Sequence, residues 1–483
     1  MKRTARRFEL SAAQSGRRRP GGSERDMLTV AALCMRRRRF IMKSPLRPPV
    51  SRRGFLSAAA APALCRAAVS EKPAILGGTP VRATRFPGWP VHDEAEDSAM
   101  LEVVRSGRWG RLNGSAVSRF ESMYASLMGA GHCLATSSGT TALFTALSAL
   151  GVGPGDEVVL PAYTFVACAN VILQHYALPV FADTDPETFQ IDPASLESAI
   201  TDRTAALMPV HLGGATFEVE RVQAIANKRG LPIVEDSCQS HLAEWRGKRT
   251  GSFGKAGCFS FQASKNLNSG EGGAVLTNDA EMAERCYAFH NNSRGRRQAG
   301  ADFSYQQSGF NARMTEFQAA ILLSQMKRLE QQYETREKNA AYLSSMLREL
   351  GGLTPARTYA GCTRNAYHLY MMRYDAEQFA GLPRARFLKA LAAEGVPASG
   401  GYSPLNKEPF LRNTFATRGY QMIYGKKRLA DWFERNQLPA NDRLCSEAVW
   451  LTQNQLLGSR RDMEQIVEAV RKIKQHASEL ARA

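Results

Sequence analysis

The 483-residue sequence predicts an α/β fold, with a large domain on a mostly parallel sheet covered by helices and a smaller C-terminal α+β domain. Two observations carry this expectation. From about residue 130 to 280, short apolar runs alternate with amphipathic helical patterns. Several of the runs are hydrophobic throughout, as strands are when helices cover both faces of their sheet. The composition fits a globular chain, at 44% hydrophobic and 22% charged with 39 Gly and 22 Pro, and excludes a fibrous or wholly disordered one.

Residues 1–41 are Arg-rich without a sustained hydrophobic period, which reads as a disordered basic leader. Met42 opens a more ordinary start, so a mis-assigned start codon explains the same stretch. Residues 42–74 carry Ser51-Arg52-Arg53-Gly54-Phe55-Leu56 ahead of a short Ala-rich run, and resemble a twin-arginine export signal. This predicts a periplasmic or extracytoplasmic protein, and a cytoplasmic one if the signal is silent. Leu64 before Cys65 makes a poor lipobox, and no lipidation is expected.

The net charge of +18 belongs mostly to this leader. Residues 1–41 hold twelve basic and three acidic side chains, residues 42–74 six and one, and the remainder 45 and 41. A nearly balanced body argues against nucleic acid as a partner. No apolar stretch approaches the ~20 residues of a membrane span. Beyond the leader lie Cys133, Cys168, Cys238, Cys258, Cys286, Cys362 and Cys445. Their odd number and the lack of CxxC predict no disulfide scaffold, and most read as small hydrophobes inside strand-like runs. No His/Cys cluster suggests a metal.

The expected strands are 157–161, 178–183, 205–211, 231–236, 257–261 and 273–277, with helices over 193–200 and 218–229 between the earlier ones. A long helix over 315–350 follows, with the apolar stripe Ala319, Leu322, Leu323, Met326 and Leu329. The large domain is set at 75–344 and the small one at 345–483, opened by the strand-like 368–374. The charged stretch 411–435 reads as an irregular insertion.

Ligands of such sheets bind beyond the carboxyl ends of the strands, and chemistry-bearing residues recur there. Ser137-Ser138-Gly139-Thr140-Thr141 opens a helix whose free amides suit a phosphate, although Ser and Thr at that position are usually only caps. The stretch Pro161-Ala162-Tyr163-Thr164-Phe165-Val166-Ala167 puts aromatics at the end of the 157–161 run, placed to cover a flat ring or to be ordinary loop aromatics. Asp236 ends an apolar strand, where a buried acid needs a cationic partner. Lys265 follows another, framed by Ser and Gly, and is a candidate Schiff-base amine.

The succession SGRWG (106–110), SSGTTAL (137–143), PAYTFVA (161–167), PVH (209–211), VEDSCQ (234–239), SFQASKNL (260–267), GEGGAVLTND (270–279) and GFNARMTEFQAA (309–320) resembles the DegT/DnrJ/StrS family of aminotransferases. That family is the sugar and cyclitol branch of fold-type-I pyridoxal-phosphate enzymes, with an aspartate-aminotransferase-like architecture. ILGGTPVR (75–82) and GYSPLN (401–406) resemble the subgroup acting on keto-cyclitols and aminohydroxybenzoate-type substrates.

The resemblance implies roles for eight residues. Lys265 matches the lysine that holds pyridoxal 5'-phosphate, Asp236 the acid facing its ring nitrogen, and Gln239 the neighbour of its phenolic oxygen. Phe165 matches the aromatic over the ring, and Gly139, Thr140 and Ser260 the phosphate cup. Asn311 matches a phosphate contact supplied by the neighbouring subunit, implying a homodimer with shared sites. The implied reaction is ping-pong transfer of an amino group from glutamate or glutamine to a keto-sugar or keto-cyclitol.

A dehydratase of the same fold would carry histidine in place of Lys265. A non-catalytic or sensory relative would have no reason to keep Lys265, Asp236, Gln239 and Asn311 together. Two departures from the family pattern, Gln262-Ala263 and Gly213-Gly214, are expected near the mouth of the site. His211, His368 and Tyr402 are open to two readings, contact with substrate or, more commonly, two structural histidines and a loop aromatic, and none is placed among the site residues.

Overall fold

The computed structural model describes residues 72–296, 305 and 307–482. The leader at 1–41 and nearly all of the export-like segment 42–74 lie outside the described residues. Among the described residues, no helix is long and apolar enough to cross a membrane.

Each expected run between 157 and 277 contains a strand. With an additional one before them, the strands are β1 (His132–Thr136), β2 (Glu157–Pro161), β3 (Leu178–Ala182), β4 (Thr204–Leu207), β5 (Val234–Asp236), β6 (Ala256–Ser260) and β7 (Gly273–Thr277). The sheet order is β3-β2-β4, continued by β5-β6-β7-β1. Parallel bridging joins the two parts, through Leu207 N–H to Pro232 O at 3.0 Å and Asp236 N–H to Pro209 O at 2.9 Å. Only β7 runs against its neighbours in this sheet, so the sheet is mostly parallel, as expected. The register matters for the site. Asp236 stands opposite Cys258, and Gly273 lies between Thr136 and Ser260.

The helix Gly139–Leu150 buries Ala142, Leu143, Ala146 and Leu147 in the core on this sheet. The stretch read as an irregular insertion is instead two helices, Pro409–Phe415 and Arg418–Arg435. Charged residues mask an apolar stripe of Leu411, Phe415, Tyr420, Tyr424, Leu429 and Trp432, all buried. The second helix kinks at Gly425, whose φ of 72° a residue with a side chain rarely adopts. These helices cover the outer edge of β3. Trp432 Nε1 donates to Pro179 O at 2.6 Å, and Phe181 N–H donates to Asn436 Oδ1 at 2.8 Å. An edge strand covered this way is closed to pairing with another chain.

A second, antiparallel sheet has the order β8 (Leu353–Pro355), β9 (Leu369–Tyr374), β10 (Ala448–Thr452). It begins with β8, earlier than the strand-like 368–374, because three residues are too few to show a period. The helix Glu316–Leu350 links the two sheets. Its Ala319, Leu322, Leu329 and Tyr333 pack beneath β1, β6 and β7, whereas Ala340, Leu343 and Leu347 join the core of the second sheet. Between them Arg336 is fully buried, its guanidinium bonded to Gln453 Oε1 at 2.5 and 3.0 Å. Burial lowers that guanidinium to about 9.

The segment after the leader is strapped to the C-terminal part. Glu394, fully buried, accepts from Ala74 N–H at 2.7 Å, Val81 N–H at 2.9 Å and Lys472 Nζ at 3.0 Å. Lys472 also donates to Thr79 O at 2.6 Å.

Candidate active site

The carboxyl ends of β5 and β6, at Asp236 and Ser260, line a cavity of about 500 Å³. Of the eight residues singled out in the sequence, Gly139, Thr140, Phe165, Asp236, Gln239, Ser260 and Lys265 line it. Asn311 does not. It is exposed, with Oδ1 accepting from Arg313 N–H at 3.4 Å.

At one end of the cavity the helix Gly139–Leu150 begins. Ser138 caps it, its hydroxyl accepting from Thr141 N–H at 3.1 Å while Thr141 Oγ1 accepts from Ser138 N–H at 2.9 Å. The amides of Gly139 and Thr140 precede the first intrahelical acceptors and are left for a ligand. Gly139 is required here by proximity. A Cβ on it would lie 2.6 Å from Ser260 Cβ and 3.0 Å from Cys238 Sγ. Behind Ser260, the buried His241 contacts the Ser260 carbonyl at 2.9 Å and the Tyr124 hydroxyl at 2.9 Å. Burial holds its ring down to about 3, so it is neutral at physiological pH.

Asp236, at the carboxyl end of β5, is buried with both oxygens occupied. Oδ1 accepts from Cys238 N–H at 3.0 Å and Oδ2 from the Cys168 thiol at 2.8 Å. Gln239 is fixed at both ends of its amide. Oε1 accepts from Gly213 N–H at 2.7 Å, and Nε2 donates to Tyr402 Oη at 3.2 Å. Phe165 stands 53% exposed at the mouth, apolar surface left open beside a cavity.

Lys265 is half-buried and makes no salt bridge among the described residues. Burial pulls its ammonium below the ordinary value of 10.5, against the opposing pull of Cys238 and Asp236. Its Nζ lies 3.4 Å from Nε2 of His368. Burial, then the Lys265 charge, holds His368 far below its usual range, so the ring is neutral. Its Nδ1 is buried without a hydrogen-bond partner among the described residues.

His368 and Tyr402 belong to the cavity wall, the first of the two readings open to them. Only folding brings them to Lys265 and Gln239. His211 is structural, buried with Nε2 2.9 Å from Glu235 Oε2. Gln262 lines the cavity as expected, but Gly213 and Gly214 are buried behind Gln239 rather than at the mouth. A Cβ at Gly213 would meet Met371 Cε at 2.5 Å, and one at Gly214 would meet Tyr367 N at 2.7 Å. Cys168 is on the helix Ala167–Gln174 rather than a strand, and its thiol serves a carboxylate.

The set suits a flat ring bearing an anion and a carbonyl. Helix amides are free for an anion, an aromatic lies at the mouth, and a buried carboxylate and a desolvated amine share the cavity. The model of the DegT/DnrJ/EryC1/StrS aminotransferase family matches residues 90–471. The chain belongs to that family.

Among relatives of this aminotransferase, the L-glutamine:2-deoxy-scyllo-inosose aminotransferase of Streptoalloteichus tenebrarius is 39% identical over 426 residues, covering 84% of this chain and 98% of the relative. The protein of the same name from Streptomyces kanamyceticus is 37% identical over 425 residues, with 85% and 99% covered. The crystal structure of 3-amino-5-hydroxybenzoic acid synthase matches with a TM-score of 0.73 at 31% identity, over 83% of this chain and 100% of that one. The architecture is that of fold-type-I aminotransferases, as the resemblance implied.

Proposed function

We propose that this aminotransferase uses pyridoxal 5'-phosphate to move the amino group of L-glutamine to a keto-cyclitol in two half-reactions. The observation that carries the cofactor reading is Lys265, an amine held below its ordinary basicity in one cavity with Asp236 and a capped helix N-terminus. Gly139, Thr140 and Ser260 would hold the phosphate, Phe165 the ring face, Gln239 the phenolic oxygen and Asp236 the ring nitrogen. When bound, the cofactor accepts the donor's amino group and takes up the electron pair left as the substrate carbon loses its proton.

Asp236 would keep a proton on the ring nitrogen of the bound cofactor, because a buried carboxylate favours a cation at its side. Lys265 Nζ removes and returns the proton at the substrate carbon, and its lowered basicity leaves more of it neutral for that task. His368 Nε2 accepts from Lys265 and orients the amine. Apart from Lys265, no lysine or arginine lines the cavity among the described residues. That favours an uncharged polyol ring as acceptor, in keeping with the keto-cyclitol named for the relatives above.

With pyridoxal phosphate and L-glutamine, 2-deoxy-scyllo-inosose should gain an amino group, read by mass spectrometry. Transfer to nucleotide-linked keto-sugars but to no keto-cyclitol would sink the substrate assignment.

The homodimer belongs to the same proposal. Leu101, Val104, Trp109, Leu112 and Met123, within one stretch of 23 residues, are exposed large apolar side chains that a partner subunit would cover. If Asn311 reaches the neighbour's site, mixing inactive Lys265→Ala and Asn311→Asp chains should restore activity in hybrids, where one of two sites is intact. An active monomer in sedimentation would refute shared sites.

A further inference from the structure

We propose that Cys168 is a positioning residue, whose thiol fixes the Asp236 carboxylate in the orientation that the cofactor ring meets. This rests on the reading of Asp236 as the group facing the ring nitrogen. The Asp236 backbone is pinned on both sides by the sheet, its N–H on Pro209 O at 2.9 Å and its carbonyl accepting from His211 N–H at 3.0 Å. The carboxylate is then oriented by its own two oxygens. A backbone amide holds Oδ1, and Oδ2 accepts from the Cys168 thiol at 2.8 Å, with the Cys238 thiol also beside this carboxylate.

The thiol itself is oriented. Cys168 is fully buried in the first turn of the helix Ala167–Gln174, and the buried Thr164 hydroxyl lies 3.3 Å from Sγ. Burial and the neighbouring carboxylate keep the sulfur protonated, so it remains a donor. A thiol is a weaker donor than a hydroxyl. It therefore steers the carboxylate while leaving most of its negative charge for a cation in the cavity. Sequence reading treats Cys168 as a small hydrophobe, and packing alone would be served as well by alanine.

The test compares Cys168→Ala, Cys168→Ser, Asp236→Ala and the double alanine variant, each checked for fold by circular dichroism. The readouts are the affinity of the apoprotein for pyridoxal phosphate, by fluorescence, and the infrared S–H stretch of Cys168. Loss of a hydrogen bond to a charged group predicts about tenfold weaker cofactor binding in Cys168→Ala. Cys168→Ser should recover most of it, and the alanine at 168 should add nothing once Asp236 is gone. The Cys168 S–H band, identified by its absence in Cys168→Ala, should move to higher frequency in Asp236→Ala.

Equal weakening by Cys168→Ala with and without Asp236 would mean packing only and would overturn the proposal. So would an unmoved S–H band, or wild-type affinity in Cys168→Ala beside a weakened Asp236→Ala. Wild-type affinity in Asp236→Ala itself would instead overturn the role given to Asp236.

Discussion

Replacing Lys265 by alanine is expected to abolish cofactor that borohydride can fix to the chain, and to cut transamination by about 10²–10⁴-fold, the usual contribution of a positioned proton-transfer group. The loss should be this large because no second amine lines the cavity among the described residues to take over. The wild-type apoprotein supplies a companion measurement. Burial holds the Lys265 ammonium below 10.5, so its neutral, nucleophilic fraction survives to lower pH than that of an exposed lysine. The rate of pyridoxal phosphate capture should fall as pH drops, with its midpoint below 10.5. A fully active alanine variant would contradict the mechanism, and a midpoint at or above the ordinary value would contradict the desolvated amine.

Glu394→Ala should cause a large loss of stability. The carboxylate is fully buried with Lys472 and two backbone amides as donors. Its removal strands a buried ammonium and frees the strap from residue 74 to 81. Breaking one partner of such a pair costs about 3–5 kcal/mol, read as a shift in the urea midpoint. Glu394→Gln should fall between the two, since the amide keeps an acceptor for part of the cluster. A midpoint unchanged in Glu394→Ala would show that the strap adds nothing to the fold.

The sheet was legible in the sequence because strands buried on both faces must be apolar throughout, and runs such as 157–161 and 273–277 are. The site was legible for a related reason. Catalytic groups sit where apolar strands end, so Asp236 after Val234 and Lys265 beyond Phe259 stand out against their surroundings. Partners that reach the cavity from distant parts of the chain carry no such local contrast. His368 and Tyr402 look like ordinary residues until folding sets them beside Lys265 and Gln239. The helices from Pro409 to Arg435 escaped notice because their exposed face is rich in Lys and Arg and outweighs the buried stripe in any average. Cys168 did not stand out among the seven cysteines, since thiols and methyl groups look alike to a hydrophobic pattern.

The helix Glu316–Leu350 has a thermodynamic consequence. Its 35 residues extend for about 52 Å, and its two halves anchor separate cores on either side of Arg336. Fraying of either core withdraws burial from half of this rod while the other half still holds the backbone ladder in place. Opening of both cores exposes Arg336, its guanidinium no longer held by Gln453. The free energies of the two cores are thereby tied together, and the amides around Arg336 exchange with solvent only when the whole body opens.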